Sequence, residues 1–203
     1  MSRHGDFWRL TCFDELPSTS DYCLNACRSG DPVAGLAVLA RRQTKGRGSR
    51  GRTWLDGGQG LALSVVLDGT QAGPEALGGW PFVASLGFYD GLLRAQPAAR
   101  PHLMIKWPND ILLDGRKMVG ILIERAGPYV LVGLGANLVS APDPDVLERT
   151  VACLAQCGSV PVVDVVARHV LDGLTFWSEQ WRQKGFASIR AAWLERAHPL
   201  GTP

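Results

Sequence analysis

The sequence predicts an α/β domain in which strands and helices share one core. Two short apolar runs, Ala34 to Ala40 and Leu61 to Leu67, have the length and branching of buried strands. Two segments near the C-terminus instead repeat apolar residues every three or four positions, as amphipathic helices do. With 203 residues and 46% hydrophobic content, the chain is long enough for one well-buried core. We therefore expect a single domain over residues 1–203.

A strand over Phe7 to Leu16 and a short helix are the first elements predicted along the chain. Ser18-Thr19-Ser20-Asp21 has the form of a capping box, in which a hydroxyl residue is followed three positions later by an acid. The helix should continue to about Arg28 and end at Gly30. The hydroxyl groups either only cap this helix, which the pattern favours, or also bind a polar ligand at its N-terminus.

Further elements follow from spacing and from turn residues. Trp80 to Leu93 has helical spacing, although two glycines weaken it. Asp114-Gly115 between apolar runs predicts a hairpin, because a type I′ turn needs positive φ at both central residues. A further hairpin strand is expected over Tyr129 to Gly133, and the two C-terminal amphipathic helices should join near Gly185.

The segment from Arg41 to Trp54 holds six cations, three glycines and no acid. Cations at that density repel one another unless an anion binds, so we interpret the segment as an anion-binding loop whose arginines lack full partners. Its glycines also satisfy G-x-G-x-x-G and nearly satisfy a phosphate-loop pattern. Both motifs require a helix directly afterwards, and the glycine-rich residues 54–60 cannot begin one. We therefore reject both motifs.

Lys117 is the most informative single residue outside this loop. With a period of two it falls on the same strand face as Val119, Ile121 and Ile123. Its ammonium group either reaches the sheet edge or lines an apolar pocket as a ligand for an anion. Lys106 poses the same question, and the neighbouring Pro108 lets Asn109 and Asp110 present their side chains from a turn.

Composition excludes several classes of protein. A net charge of only +2 counts against a broadly basic nucleic-acid binder and points to a small or local anionic ligand. Five cysteines, an odd number, are typical of a reducing compartment, and Cys23 and Cys27 share one helix face, which favours packing over metal or redox chemistry. The chain has neither a signal-peptide core nor an apolar run long enough to span a membrane, so we expect a soluble cytoplasmic protein.

The residues present favour chemistry without a protein nucleophile. The sequence shows no serine or cysteine triad, no H-E-x-x-H metal motif and no nucleophile elbow. Glycines and cations beside apolar strands instead suit a reaction that brings two anions together. A carboxylate attacking the α-phosphate of ATP is one example, because cations lower the repulsion between the reactants.

Four motifs follow one another along the chain: Gln43 to Trp54 (QTKGRGSRGRTW), Lys106 to Leu112 (KWPNDIL), Lys117 to Leu122 (KMVGIL) and Gly133 to Leu138 (GLGANL). In their residues and their order they resemble the motifs of biotin protein ligases, and the resemblance covers roughly residues 16–196. The resemblance implies a mixed, largely antiparallel central sheet flanked by helices, as in class II aminoacyl-tRNA synthetases. It also implies two steps: biotin and Mg-ATP form biotinyl-5′-AMP and pyrophosphate, and the acyl group then passes to a lysine of a biotin carboxyl carrier domain.

The same resemblance assigns roles to particular residues. Those expected to bind biotin are Ser18, Thr19, Ser20, Gln43, Arg47, Gly48, Ser49 and Lys117. Those expected to bind ATP or the adenylate are Arg50, Arg52, Trp54, Lys106, Asn109, Asp110 and Asn137. Lys117, bridging the biotin carboxylate and the α-phosphate, and Arg47 would be the catalytic residues, with magnesium arriving with ATP near Asp110.

Departures from the family pattern carry further expectations. Ser49 stands where several members have an arginine, so we expect weaker retention of the adenylate, and Ser20 replaces an asparagine. No helix-turn-helix precedes Phe7, so no specific DNA binding is expected. The chain ends at Pro203, about where relatives continue into a small β-barrel, so we expect that barrel to be absent or truncated. A homodimer is left open.

Two alternative functions remain at this stage. A lipoate or octanoate ligase of the same superfamily should have a long, narrow apolar pocket and a different arginine-glycine signature. A non-enzymatic anion or nucleic-acid binding module would use the cationic run from Arg41 to Arg52, and it should bind random DNA in a salt-sensitive way.

Overall fold

A computed structural model describes residues 7–29, 33–55, 57–70, 78–143 and 150–199. Its seven strands are β1 Arg9–Leu16, β2 Leu36–Gln43, β3 Leu61–Asp68, β4 Leu103–Lys106, β5 Asp110–Leu113, β6 Arg116–Ala126 and β7 Tyr129–Ala136. They form one sheet in the order β1-β2-β3-β7-β6-β5-β4. Only β1 and β2 pair in parallel, and every other neighbouring pair is antiparallel. The mixed, largely antiparallel sheet is therefore confirmed.

Four α-helices of the described residues flank this sheet. They are α1 Thr19–Arg28, α2 Trp80–Ala95, α3 Val163–Lys184 and α4 Phe186–Leu194. Each matches a predicted helix, and the end of α1 predicted at Gly30 lies outside the described residues. The Ser18 hydroxyl accepts a hydrogen bond from the Asp21 amide at 3.2 Å, as the capping box requires. None of the described helices is long and apolar enough to cross a bilayer.

The main core lies between one face of the sheet and helices α2, α3 and α4. The glycines that weaken the helical pattern of α2 have a packing role here. A Cβ at Gly87 would lie 2.8 Å from the backbone nitrogen of Leu174, and one at Gly91 would lie 2.6 Å from Cα of Val170. The absence of side chains thus lets α2 and α3 approach closely, a gain from tertiary packing that offsets the low helix propensity of glycine.

A smaller apolar cluster lies on the opposite face, under α1. Its buried members are Cys23, Val33, Val38, Val66 and Leu131. Cys23 is fully buried and Cys27 packs against the same cluster, so both thiols serve packing, as their spacing predicts. Because α1 covers only part of this face, the rest of it is left for the candidate site.

The predicted hairpin forms between β5 and β6, with φ of 48° at Asp114 and 75° at Gly115.

The prediction that Lys117 lies on the same strand face as Val119 and Ile121 is wrong. Ile111 pairs with Val119 but Leu112 pairs with Lys117, so β6 contains one extra residue, Met118. This β-bulge breaks the alternation of side chains and moves Lys117 to the face opposite Val119 and Ile121.

Candidate functional site

A cavity lies on the face of the sheet that α1 leaves open, and its floor is made of small side chains. Across the strands, Ala62 pairs with Gly135, Ser64 with Gly133, and Gly120 with Gly135. All five residues line the cavity, whose volume is about 50 Å³. Alternate residues of the same strands are large and face the main core. The period of two therefore separates a packed face from a ligand-accessible face.

Most of the predicted site residues meet around this cavity. Its lining includes Thr19, Ser20, Gln43, Arg47, Gly48, Ser49, Arg52, Trp54, Asn109 and Lys117. Five other predicted site residues are not among the lining residues: Ser18, Arg50, Lys106, Asp110 and Asn137. The predicted ligand-binding side chains that line this cavity therefore come from three of the four sequence motifs and from the N-terminus of α1.

One wall of the cavity is a hydrogen-bonded group of polar side chains. Oε1 of Gln43 accepts hydrogen bonds from the Thr19 amide at 2.8 Å and from its hydroxyl at 3.1 Å. The Ser64 hydroxyl lies 2.8 Å from that of Thr19 and 3.0 Å from that of Ser20. Sequence reasoning missed Ser64, although its position as the polar residue in an apolar strand was a usable signal. This wall offers a preorganised set of donors and acceptors to a polar ligand group.

Trp54 lies against the floor of the cavity. A Cβ at Gly135 would be 2.6 Å from Cε2 of the indole, and one at Gly120 would be 2.8 Å from Cζ3. Real Cβ atoms do not approach so closely, so both positions require glycine while the ring lies there. The glycines of β6 and β7 therefore let an indole of the protein itself lie against the sheet. Because the indole occupies this space, the cavity has room for only a few water molecules.

Lys117 and Asp110 form an ion pair at the edge of the cavity. Nζ of Lys117 donates to Oδ1 of Asp110 at 2.5 Å, with 15% and 24% of the two side chains exposed. Asn109 next to this pair donates from Nδ2 to the carbonyl of Ile121 at 2.8 Å. The ion pair therefore holds the lysine on the ligand-accessible face, to which the β-bulge has moved it.

The loop cations have more acidic partners than the sequence suggests. Arg41 pairs with Asp164 at 2.9 Å and Arg42 with Glu15 at 2.5 Å. The prediction that the loop arginines lack full partners is therefore wrong for these two residues. Both acids lie far from the loop in sequence, which is why a local count of charges missed them.

Arg47 is also paired, and its partners are two acids. It pairs with Asp21 at 2.9 Å and, through its other terminal nitrogen, with Glu124. Burial disfavours the charged guanidinium, but Glu124 and Asp21 outweigh that effect and raise the pKa of Arg47 above its ordinary value. The prediction fails here for the same reason, because neither acid belongs to the loop.

The other two arginines of the loop differ from these three. Arg52 donates to the Ser49 hydroxyl at 3.0 Å and to the Ser49 carbonyl at 3.2 Å, and Arg50 is exposed with φ of 59°. No acid among the described residues pairs with either one. Arg50 and Arg52 are therefore the loop arginines whose guanidinium groups have no acidic partner among the described residues and can pair with an anionic ligand.

No helix follows the loop within the described part of residues 52–60, where the chain is irregular and bends before it enters β3. The rejection of both nucleotide-binding fingerprints is thus confirmed.

Asn137 is buried and donates from Nδ2 to the carbonyl of Ala152 at 3.1 Å, away from the cavity lining. Lys106 likewise lies outside the lining, half-buried at the end of β4.

The charged side chains that line the cavity are cations, two of which are paired with acids outside the lining. Arg47, Arg52 and Lys117 line it, and none of the described residues that line it is acidic. Within the described ranges, no three His, Cys, Asp or Glu side chains lie close enough to bind a metal ion by themselves. Asp110 alone fits a magnesium ion only if phosphate groups complete the coordination, as is usual for magnesium with nucleotides. The arrangement can therefore bind an anionic organic ligand and stabilise negative charge.

Comparison with known proteins gives consistent matches. Residues 12–137 match the biotin/lipoate A/B protein ligase family. The chain is 42% identical to a biotin–[acetyl-CoA-carboxylase] ligase of Paracoccus denitrificans, over 93% of this chain and 82% of that one. It is 37% identical to the ligase of that name from Mycobacterium tuberculosis, over 70% of this chain and 55% of the relative. A structure of the Aquifex aeolicus biotin protein ligase with biotin and ATP superposes with a TM-score of 0.82 and 26% identity, covering 95% and 80% of the two chains.

Proposed function

The chain belongs to the biotin/lipoate A/B protein ligase family, and we propose that it activates biotin with ATP and transfers it to a carrier protein. The partner would be a biotin carboxyl carrier domain, modified on one lysine. The observation that carries the proposal is the cavity itself, where Arg47, Arg52 and Lys117 meet a wall of hydroxyl groups over a glycine floor. The chemistry requires ATP and newly made carboxylase, so we place the protein in the cytoplasm.

The first step joins two anions. A carboxylate oxygen of biotin attacks the α-phosphorus of ATP, a new O–P bond forms, and the bond to the β-phosphate oxygen breaks to release pyrophosphate. Lys117 would contact both the carboxylate and the α-phosphate, and Arg47 would lie beside them. Fixed cations lower the repulsion and stabilise charge in the transition state without reorganising.

The nucleotide would be held by the remaining cationic and polar residues. Arg50 and Arg52 are the loop arginines without acidic partners among the described residues, so they are suited to bind phosphate groups. Trp54 would pack beside adenine after leaving the floor. Lys106, Asn109 and Asp110 would bind the nucleotide with its magnesium, which enters as part of the ATP substrate. For Asn137, which is buried away from the lining, a contact with the adenylate would require local rearrangement.

The polar wall would recognise the other end of biotin. The ureido group of biotin carries two N–H donors and one carbonyl acceptor. Ser20, Thr19, Gln43 and Ser64 offer hydroxyl and amide groups at this wall, while Ser18 caps the helix that carries two of them. Gly48 and Ser49 would cover the ligand from the loop. In the second step the lysine amine of the carrier attacks the acyl carbon and AMP leaves.

One experiment tests the proposal against its alternatives. The protein is incubated with ATP, magnesium, a biotin carboxyl carrier domain and either biotin or lipoate, and the carrier is then weighed intact. A mass gain equal to one biotinyl group supports the proposal, and a gain only with lipoate would favour a lipoate ligase. No gain with either acid, together with salt-sensitive binding of random DNA, would favour a non-enzymatic binding module.

A further inference from the structure

Arg47 connects the loop to both sides of the cavity. Nη1 of Arg47 donates to Oδ1 of Asp21 in the first turn of α1, at 2.9 Å, and Nη2 donates to Oε1 of Glu124 in β6. The three side chains are 33%, 50% and 26% exposed, respectively. Neither acid is among the described residues lining the cavity. The two acids therefore act on the site through Arg47.

Fixing Arg47 also fixes the rest of the loop. The Gly48 amide donates to the carbonyl of Arg52 at 2.7 Å, and the Trp54 amide donates to the carbonyl of Gly46 at 2.9 Å. Arg47 and Thr53 form an antiparallel bridge between these two bonds. The segment from Gly46 to Trp54 is thus a small closed hairpin, and anchoring one side of it restrains the other.

Stability alone does not explain why Arg47, Asp21 and Glu124 are grouped in this way. Oε2 of Glu124 is buried and has no hydrogen-bond partner among the described residues, an arrangement that costs stability. An arginine has five N–H donors, and the contacts to the two acids use only one on each terminal nitrogen. Arg47 can therefore be held by both acids and still donate to a ligand in the cavity that it lines.

We propose that Asp21 and Glu124 are positioning residues, which hold Arg47 and the loop from Gly46 to Trp54 closed over the cavity and so slow the escape of the acyl-adenylate. The part that concerns the adenylate rests on the proposed function. Closure of the loop does not, because the contacts exist in the ligand-free chain. The two parts can therefore be tested separately.

The first test measures amide hydrogen exchange of peptides that cover residues 44–55 in the ligand-free protein. Asp21→Asn and Glu124→Gln remove each charge and keep the shape of the side chain. We expect exchange in the loop to become roughly fivefold faster in each, as charge-assisted contacts are lost. Glu15→Gln is the matched control, because it removes the acid paired with Arg42 in the same basic run, outside the cavity. It should leave exchange in the loop unchanged.

A double-mutant cycle separates the proposed contact from a general loss of packing. In an Arg47→Met background, Asp21→Asn and Glu124→Gln should add no further acceleration, because their partner is gone. Wild-type exchange rates in both single variants would overturn the proposal, as would full additivity with Arg47→Met. Asp21 is half exposed and capable of hydration, so its variant should fold even if the Glu124 variant does not.

The second test uses the loaded enzyme. Release of biotinyl-AMP should become roughly fivefold faster in Asp21→Asn and Glu124→Gln, with a raised KM for biotin and a smaller change in kcat. Wild-type release rates in variants with faster loop exchange would overturn the part that concerns the adenylate. If the wild-type protein forms no adenylate, the proposed function fails, and loop exchange still decides whether the two acids close the loop.

Discussion

Nζ of Lys117 lies 2.5 Å from Oδ1 of Asp110, on the ligand-accessible face of the sheet and beside the β-bulge at Met118. The bulge directs the lysine into the cavity, and the hydrogen bond to the carboxylate orients it there. A side chain placed in this way can meet a carboxylate and a phosphate together. The geometry therefore makes Lys117 the first residue to substitute.

We expect Lys117→Ala to remove adenylate formation, with biotin-dependent pyrophosphate exchange falling roughly a thousandfold. Folding should persist, because Asp110 is 24% exposed and can be hydrated when its partner is lost. The melting temperature reports folding and pyrophosphate exchange reports the reaction. Arg116→Ala is the control, since Arg116 is the preceding residue of β6 and bonds Gln156 away from the cavity. Full exchange activity in Lys117→Ala would refute the assigned role.

A second prediction concerns the glycine floor. In Gly135→Ala the new Cβ would lie 2.6 Å from the Trp54 indole, so the ring must leave the floor or the strand must move. We expect biotin affinity to fall by roughly tenfold or more, since the methyl group also occupies the ligand space. Isothermal titration with biotin measures the effect.

The matched control for that substitution is Gly78→Ala. A Cβ there meets no atom within 4 Å, so affinity should be unchanged. Trp54→Leu combined with Gly135→Ala separates the two causes. If removing the indole restores affinity, the clash with the ring was responsible. Unaltered affinity in Gly135→Ala itself would show that the ligand does not approach this part of the floor.

The sequence predicted the fold well because its signals are local. Capping at Ser18, the turn at Asp114-Gly115 and the spacing of apolar residues each depend on neighbours within a few positions, and all three are confirmed. The errors concern relationships across the sheet. A single extra residue, Met118, moves the side chain of Lys117 to the opposite face of the sheet. The residue preferences of that segment do not predict a β-bulge there.

The acids that pair with the loop were missed for a related reason. Asp21 is 26 positions and Glu124 is 77 positions from Arg47, so only the folded sheet brings them together. In the sequence, Asp21 is interpreted as part of a capping box, and Glu124 lies between two of the motifs and belongs to neither. The candidate site could therefore be predicted as a set of motifs, but not as a network of charges.

A third prediction uses the burial of Cys23. Burial raises the pKa of this thiol to about 12, so it stays protonated at a pH where an exposed cysteine ionises. Only the thiolate is nucleophilic, so at pH 9 iodoacetamide should modify the exposed Cys12 and spare Cys23 in the folded protein. Peptide mass spectrometry identifies the modified site. Rapid labelling of Cys23 under native conditions would contradict its assignment as a packing residue.

The same shift makes stability depend on pH in a defined direction. In the unfolded chain the thiol loses its proton near pH 9, whereas the folded chain retains it up to about pH 12. The free energy of unfolding therefore keeps its full value with respect to this thiol below pH 9 and falls as the pH rises from 9 to 12, by roughly 1 kcal/mol per pH unit. Denaturant titrations of the wild type and Cys23→Ala should diverge by this slope in that window. Parallel curves would indicate that the buried thiol does not retain its proton.

The last prediction concerns Ser49, where several members of the family carry an arginine. In this chain the Ser49 hydroxyl accepts from Arg52 at 3.0 Å, so the residue both lacks a charge and holds a neighbouring cation. Ser49→Arg adds a cation beside the cavity, and we expect it to slow release of biotinyl-AMP roughly tenfold, the effect of one charge-assisted hydrogen bond. A chase of preloaded protein with unlabelled biotin and ATP measures the release rate. Ser49→Ala is needed beside it, because it breaks the contact with Arg52 without adding charge. If release is slower in Ser49→Arg and remains at the wild-type rate in Ser49→Ala, the effect comes from the added charge. If Ser49→Arg releases the adenylate as fast as the wild type does, this serine does not weaken retention of the adenylate.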